Sequence, residues 1–254
     1  MARITALINQ KGGVAKTTTA HALAVGLARQ GRRVLAIDCD PQGNLSMSVA
    51  AENQDSATMY EVMKGTASAR EAIQHTSSCD IIPANTILAG IEQELHNVGK
   101  EMTLREKLRD EQTGVAEEYD YILIDCPPSL GLLTLNCLCA ADSFLVPLQC
   151  EYYAMEGVAD LTTSVKIANR RLNKNLYIEG ILLTMYDNRL NFSTQVAEEL
   201  RRYFGARVYD TVIPRNVRLA EAPSHGRPIT EYDAGSKGAR AYLAAAEEFL
   251  QRQG

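Results

Sequence analysis

A short segment near the start of the chain combines two glycines, two lysines and two threonines, residue types that bind phosphate. It covers residues 9–18 and reads NQKGGVAKTT, between an apolar strand-like run and a helix-like stretch. Glycines such as Gly12 and Gly13 allow successive backbone N–H groups to point at one anion, at the positive end of the following helix. In such a loop Lys16 would contact the β- and γ-phosphates, and the Thr17 hydroxyl would ligate Mg²⁺. The segment therefore predicts a phosphate-binding loop for MgATP.

The loop departs from the ordinary pattern G-x-x-x-x-G-K-[ST] at both glycine positions. Gln10 and Ala15 occupy them, and Lys11 adds a second lysine, so the segment fits the variant K-G-G-x-x-K-[ST] instead. We expect Ala15 to be tolerated if its φ is negative, because it then adds only a methyl group.

Two acidic motifs follow apolar strand-like runs further along the chain. Residues 121–125 read YILID and end in Asp125, which would hold Mg²⁺ through water opposite the loop. Residues 38–44 read DCDPQGN, and a carboxylate there would face the γ-phosphate, where a group is needed to position water. A single Asp after a strand is more often a cap or turn residue. Three such features in this order indicate a nucleotide site.

Apolar strand-like runs alternate with helix-period stretches along nearly the whole chain. Continuous apolar runs suit parallel strands buried between two helical layers, and ligands then bind at the carboxyl ends of the strands. The pattern predicts an α/β fold with a doubly wound, mostly parallel central sheet flanked by helices, in a single domain over residues 1–254. The expected strands are residues 4–8, 34–37, 81–82, 121–124, 143–147 and 178–183. The expected helices are residues 17–30, 104–110, 132–140, 158–172, 192–204 and 237–252.

Charge is distributed unevenly along the chain. Of 26 Lys and Arg and 31 Asp and Glu, residues 1–160 hold 12 and 21, a net charge of −9, and residues 161–254 hold 14 and 10, a net charge of +4. A basic C-terminal third suggests a surface for a polyanion, although a solvated helix face explains most single charge clusters. Because there is no signal segment and no run of ~20 apolar residues, we expect a cytoplasmic protein. Six cysteines without metal-ligand spacing are expected to be small buried hydrophobic residues.

Five sequence motifs together resemble the ParA/Soj partition ATPases, within the deviant Walker A class that includes MinD. They are KGGVAKTTT (11–19), DCDPQGN (38–44), YDYILIDCPPSLG (119–131), VPLQCEYYAMEG (146–157) and VIPRNVRLAEAPSHGRPI (212–229). The last two are specific to the ParA/Soj branch, and the resemblance extends over essentially the whole chain.

The resemblance implies an ATP-dependent DNA-partition ATPase that works as a homodimer. Two copies would close face to face around two ATP molecules, with Lys11 reaching the partner's phosphates. Asp40 would orient the attacking water, so the catalytic residues would be Lys11, Lys16 and Asp40. Hydrolysis would be slow until a ParB-like centromere-binding protein stimulates it.

The resemblance also implies which residues hold the cofactors ATP and Mg²⁺. Thr18 would contact the α-phosphate. The adenine would lie against the segment Ile213-Pro214-Arg215-Asn216 and the strand end at Thr184 and Met185, although Pro214 could equally be a turn proline. The full set for the nucleotide is Lys11, Gly12, Gly13, Val14, Ala15, Lys16, Thr17, Thr18, Pro214 and Asn216. The set for the metal is Thr17, Asp38 and Asp125.

Two arginines, Arg189 and Arg218, match family positions that bind double-stranded DNA without sequence preference. Dimerisation would bring two such patches onto one surface, and affinity for DNA rises steeply with the number of phosphate contacts. Five further basic residues could help or could form helix-surface ion pairs: Arg170, Arg171, Lys174, Arg201 and Arg202. We therefore expect a cytoplasmic, nucleoid-associated protein.

Three other functions stay open. A MinD-like positioning ATPase would bind a membrane, but residues 241–254 combine a core-facing apolar stripe with an acidic side that anionic lipid would repel, so we expect no membrane partner. An iron–sulfur assembly ATPase would need spaced cysteines near the dimer face, which this sequence matches poorly. Ala15 could also have disabled hydrolysis, leaving an ATP-dependent DNA clamp.

Overall fold

One eight-stranded sheet forms the centre of the part of the chain that the computed structural model describes, which is residues 1–51, 56–95, 98–151, 157–158, 161–163, 165 and 172–253. The strands are β1 (Arg3–Leu7), β2 (Val34–Asp38), β3 (Gln74–His75), β4 (Asp80–Ile82), β5 (Tyr121–Asp125), β6 (Ser143–Gln149), β7 (Tyr177–Tyr186) and β8 (Val208–Pro214). Their order across the sheet is β3-β4-β2-β5-β1-β6-β7-β8. β3 runs antiparallel to β4, and the other neighbouring strands pair in parallel. The predicted mostly parallel sheet is confirmed.

Helices cover both faces of this sheet. Within the described ranges they are α1 (Lys16–Arg29), α2 (Asn44–Ser48), α3 (Met59–Lys64), α4 (Ile91–Glu94), α5 (Thr103–Arg109), α6 (Leu132–Ala140), α7 (Asn191–Phe204), α8 (Val217–Glu221), α9 (Ile229–Tyr232) and α10 (Lys237–Gln253). Short 3₁₀ helices span Thr86–Gly90, Lys100–Met102, Gly205–Arg207 and Ala222–His225.

The core consists of two layers, one on each face of the sheet. Ile4 of β1 packs in the layer that contains the apolar residues of α5 and α6. Leu7 of the same strand belongs to the layer formed with α1 and α10. Because successive side chains of a strand point to opposite faces, a strand covered on both faces needs apolar residues at every position. This explains the continuous apolar runs in the sequence.

Helix α10 packs directly against α1, the helix that follows the phosphate loop. A Cβ added at Gly26 of α1 would lie 2.7 Å from the Cβ of Ala246, so the glycine permits this close approach. The Tyr242 hydroxyl hydrogen-bonds with Oγ1 of Thr19 at 3.0 Å. Tyr242, Ala246 and Phe249 are fully buried, which confirms the predicted core-facing stripe. Among the described helices, none combines the length and the apolar character that crossing a membrane requires.

The predicted elements that lie in the described residues agree with the structure to within a few residues. The short helices α2, α3, α4, α8 and α9 and the strands β3 and β8 were not predicted. In the edge strand β8, polar residues such as Asp210 face solvent and interrupt the apolar run. The predicted helix at residues 158–172 lies largely outside the described residues. All six cysteines are buried and free, which confirms their interpretation as small hydrophobic residues.

Candidate nucleotide-binding site

The carboxyl ends of β1, β2 and β5 meet at one edge of the sheet. β5 lies between the other two, and its last residue, Asp125, pairs with Leu7 of β1 and with Asp38 of β2. The phosphate loop begins two residues after Leu7. The strand register therefore places both acidic motifs beside the loop, as the sequence predicts.

The loop makes a left-handed turn immediately before α1. Ala15 has φ 67° and ψ 33°, so the negative φ under which its methyl group would be tolerated is absent, and its Cβ costs about 1 kcal/mol in this conformation. Gly13 also has a positive φ of 74°. The Thr184 hydroxyl donates a 3.0 Å hydrogen bond to the carbonyl of Val14 and fixes the loop from below. No side chain caps the start of α1, which leaves its first backbone N–H groups to bind an anion.

A threonine and a carboxylate form the centre of the predicted metal site. The Thr17 hydroxyl donates a 2.6 Å hydrogen bond to Oδ2 of Asp125. Oδ1 of Asp125 is fully buried and has no hydrogen-bond partner among the described residues. Burial, and next the charge of Asp38, raise the pKa of Asp125 to about 8. A hard divalent cation would supply the missing partner and favour the ionised carboxylate, so these oxygens fit Mg²⁺.

The two carboxylates that follow β2 have different surroundings. Both oxygens of buried Asp38 accept hydrogen bonds, Oδ1 from the Asp40 N–H at 3.1 Å and Oδ2 from the N–H and hydroxyl of Ser46 at 2.9 and 2.7 Å. Burial raises the pKa of Asp38 to about 6. Asp40 faces the cavity, and its Oδ1 accepts from the Gln42 N–H at 3.0 Å. Asp38 therefore fixes the loop that presents Asp40, and its direct ligation of the metal stays a prediction.

The loop, Asp40 and the ends of β7 and β8 enclose a cavity of about 870 Å³, a size typical of ligand pockets. Most of the predicted nucleotide-site residues line it: Gly12, Gly13, Ala15, Lys16, Thr17, Thr18, Asp40, Pro214 and Asn216. Thr184 and Met185 line it as well, at the predicted end of the strand. Val14 is buried, and its carbonyl already accepts from Thr184. The arrangement can therefore hold a phosphate chain at one end and a planar base at the other.

Several residues not assigned from the sequence also line this cavity, among them Tyr242, Met47 and Val217. Tyr242 reaches it from α10, and the apolar periodicity of that helix indicated burial but not a place in the site. Met47 and Val217 are large apolar residues with 62% and 71% of their surface exposed. Met47 lies three residues after the motif at 38–44, and this closeness was the one sign in the sequence that it could reach the site.

The two arginines expected to bind DNA lie on segments beside this cavity. Arg189 follows β7 and Arg218 lies in α8, after β8. Tyr186 at the end of β7 pairs with Pro214 at the end of β8. The two segments are therefore neighbours at the edge of the sheet that also carries the phosphate loop.

The possible helper residues have mixed outcomes. Arg202 pairs with Glu199 one turn earlier in α7, at 3.9 Å, as the ion-pair alternative predicts. Arg170 and Arg171 lie outside the described residues.

Comparison with known proteins identifies the family. A family model described as an AAA domain matches residues 2–178. The sporulation initiation inhibitor protein Soj of Bacillus subtilis (strain 168) is 49% identical over 252 residues, which cover 98% of this chain and 98% of Soj. The chromosome partitioning protein ParA of Myxococcus xanthus (strain DK1622) is 49% identical over 254 residues, which cover 98% of this chain and 88% of ParA. The chain belongs to the ParA/Soj family.

A solved structure with a bound nucleotide has the same fold as this ParA/Soj family member. Cobyrinic acid a,c-diamide synthase from Mycobacterium smegmatis, with bound ADP and magnesium, superposes with a TM-score of 0.84 at 36% identity. The match covers 100% of this chain and 96% of that chain. This likeness to a nucleotide-bound structure confirms the fold predicted from the sequence.

The two signature lysines of this ParA/Soj chain lie in different environments. Lys16 is buried, and its ammonium donates to the carbonyl of Lys11 at 3.4 Å. The side chain of Lys11 is 56% exposed and forms an ion pair with Glu151, just after β6. Its backbone N–H donates to Oδ1 of Asn9 at 3.0 Å. One lysine therefore lies inside the cavity and the other at its rim.

Proposed function

We propose that this chain is an ATP-dependent DNA-partition ATPase. Its MgATP-bound dimer binds DNA without sequence preference, and a ParB-like protein stimulates the slow hydrolysis that releases it. The observation that carries the proposal is the cavity, which combines the phosphate loop, Lys16 and Asp40 and leaves Lys11 exposed at the rim.

Within one subunit, the chain's own groups bind and orient the nucleotide. The backbone N–H groups at the start of α1 and the ammonium of Lys16 bind the phosphates. Thr17 and Asp125 would hold Mg²⁺, and the ion would supply positive charge against the phosphates of the nucleotide. The carboxylate of Asp40 accepts a hydrogen bond from the attacking water and orients it toward the γ-phosphorus.

The position of Lys11 supports a dimeric site. Its ammonium lies at the surface of its own subunit. From there it can reach a second copy that closes over the cavity. Positive charge from the facing copy then stabilises the negative charge that develops on the transferred phosphoryl group. A lone subunit lacks that charge, so hydrolysis requires the dimer.

The DNA-binding role is supported by the position of the arginines. Arg189 and Arg218 lie at the end of the sheet that carries the nucleotide cavity. When two copies close over their cavities, the dimer therefore presents four of these arginines. Affinity for phosphate backbones depends steeply on the number of contacts, which makes DNA binding depend on ATP. The protein would therefore be cytoplasmic and associated with the nucleoid while ATP is bound.

The Asp40→Ala variant tests this scheme. It should bind ATP, release little phosphate and accumulate as a long-lived dimer by sedimentation. Lys11→Ala should bind ATP without dimerising, and Lys16→Ala should lose ATP binding. If Asp40→Ala stayed monomeric with ATP, the water-orienting role would be wrong.

Phosphate release with DNA and a ParB N-terminal peptide separates the alternative functions. Stimulated release by the wild type would support a partition ATPase. ATP-dependent DNA binding without any release would indicate a clamp. Binding to anionic vesicles in place of DNA would indicate a MinD-like positioning ATPase.

A further inference from the structure

The arginine that follows β7 is held by an acidic residue two positions earlier. Nε and Nη2 of Arg189 donate to the two carboxylate oxygens of Asp187 at 2.9 and 2.7 Å. The side chain of Arg189 is 85% exposed, whereas that of Asp187 is only 17% exposed. The carboxylate therefore lies beneath the guanidinium, which can leave it without moving the backbone.

The second arginine has acidic partners too. Nη1 of Arg218 donates to Oε2 of Glu221 at 2.8 Å, and its Nε lies 3.6 Å from Oδ2 of Asp233. The Tyr232 hydroxyl donates to the same Glu221 oxygen at 3.1 Å and fixes that carboxylate. Both arginines expected to contact DNA are thus paired within the chain.

Arg215 joins these two pairs into one surface. Its backbone N–H donates to the carbonyl of Tyr186 at 3.1 Å, which places it next to the segment that carries Asp187. The hydrogen bonds from Arg189, followed by the charges of Arg189 and Arg215, lower the pKa of Asp187 to about 2, so this carboxylate is ionised at neutral pH. Arg215 itself lines the nucleotide cavity, so the Asp187–Arg189 pair lies directly beside that cavity.

We propose that Asp187 and Glu221 compete with DNA phosphates for Arg189 and Arg218. This inference rests on the proposed DNA-binding function. DNA binding is then an exchange, in which each arginine leaves a carboxylate for a phosphate. Exposed ion pairs are weak enough for this exchange to occur.

The exchange has a signature in the salt dependence of binding. An arginine that neutralises a phosphate releases counterions from the DNA. The carboxylate it leaves becomes a bare negative charge beside the phosphates and takes up a cation, which cancels part of that release. Removing the carboxylate charge should therefore strengthen binding and also steepen its dependence on salt.

The Asp187→Asn variant tests the exchange with little structural change. Oδ1 of Asp187 accepts the Arg189 N–H at 3.1 Å in a local turn, and an asparagine oxygen can accept the same hydrogen bond. With a non-hydrolysable ATP analogue and Mg²⁺, we expect this variant to bind two duplexes of unrelated sequence about threefold or more tightly than the wild type. The slope of log affinity against log salt should steepen by about 2 per dimer, one contact for each subunit. Glu221→Gln should act in the same direction.

Glu118→Gln is the matched control. Glu118 pairs with Arg70 at 2.6 Å, and its side chain is 43% exposed, close to the 38% of Glu221. It lies before β5, at the end of the strands away from the cavity. Glu118→Gln changes the net charge of the protein by the same amount as the two test variants. If it strengthened DNA binding as much as they do, the effect would come from net charge and the proposal would be overturned. An unchanged salt slope in Asp187→Asn and Glu221→Gln would overturn it too.

The same experiment separates this inference from the proposed function. If the wild type binds DNA and Arg189→Ala weakens that binding while the acidic variants match the wild type, only the inference fails. If neither the wild type nor any variant binds duplex DNA with the analogue, the proposed function fails and the inference with it.

Discussion

Replacing Glu151 by glutamine should make ATP-dependent dimerisation easier. Lys11 is expected to reach the phosphates of a facing copy, but in the single chain it is paired with Glu151. Both side chains are more than a third exposed, at 56% and 42%, so solvent screens the pair and it contributes roughly 0.2–1 kcal/mol. A dimer has to break two such pairs, for a total of about 0.4–2 kcal/mol. The dissociation constant of the Glu151→Gln dimer should therefore be about 2 to 30 times lower than that of the wild-type dimer.

Sedimentation over a series of protein concentrations, with a non-hydrolysable ATP analogue and Mg²⁺, measures this difference directly. The gap between Glu151→Gln and the wild type should narrow as salt approaches 1 M, where charges are screened within about 3 Å. Glu94→Gln is a matched control, because Glu94 pairs with Lys64 at similar exposures of 40% and 44% away from the cavity. Equal or weaker dimerisation of Glu151→Gln, with Glu94→Gln unchanged, would refute the idea that Glu151 restrains Lys11.

Three further predictions concern the loop and its supports. Ala15→Gly should raise the melting temperature by a few degrees while keeping ATP binding, since it removes about 1 kcal/mol of backbone strain; a lower melting temperature in calorimetry would contradict the strain argument. Gly26→Ala should lower the free energy of unfolding in urea by about 1–3 kcal/mol, because the new Cβ would lie 2.7 Å from Ala246. Gly90→Ala is the control, because no atom lies near its new Cβ, and its free energy of unfolding should stay close to that of the wild type. The pKa of Asp125 is raised to about 8, so the folded protein binds the proton of this carboxyl more tightly than the unfolded chain does. The stability that this proton supplies is complete below the unfolded pKa and is lost as pH rises toward 8. Asp125→Asn without nucleotide should therefore gain stability over the wild type between pH 4 and 8, and a gap independent of pH would show that burial does not raise this pKa.

The sequence predicts the parallel sheet and most of the nucleotide cavity because their signals are local. Strands buried on both faces need unbroken apolar runs, and the phosphate loop compresses its chemistry into ten residues. Asp125 could be assigned because it ends such a run. The edge strand β8 was missed because one of its faces meets solvent, so Asp210 and its neighbours resemble a loop.

The remaining site features depend on contacts between distant segments. The pairing of Lys11 with Glu151 joins residues 140 positions apart, and no motif near either one indicates it. The left-handed φ of Ala15 follows from how the loop must turn to start α1, which the residue type alone argues against. Tyr242 reaches the cavity only because α10 packs on α1, which periodicity cannot reveal.

The end of β7 connects the phosphate loop to the arginine surface through consecutive residues. Thr184 holds the loop through the carbonyl of Val14, Tyr186 holds the backbone of Arg215, and Asp187 holds Arg189. At about 3.3 Å per residue, this stretch of chain is only about 10 Å long. A displacement of the loop would therefore pass through the hydrogen bond of Thr184 and along three residues of backbone to Asp187 and Arg189. Such a transfer would need neither a hinge nor the unfolding of a helix.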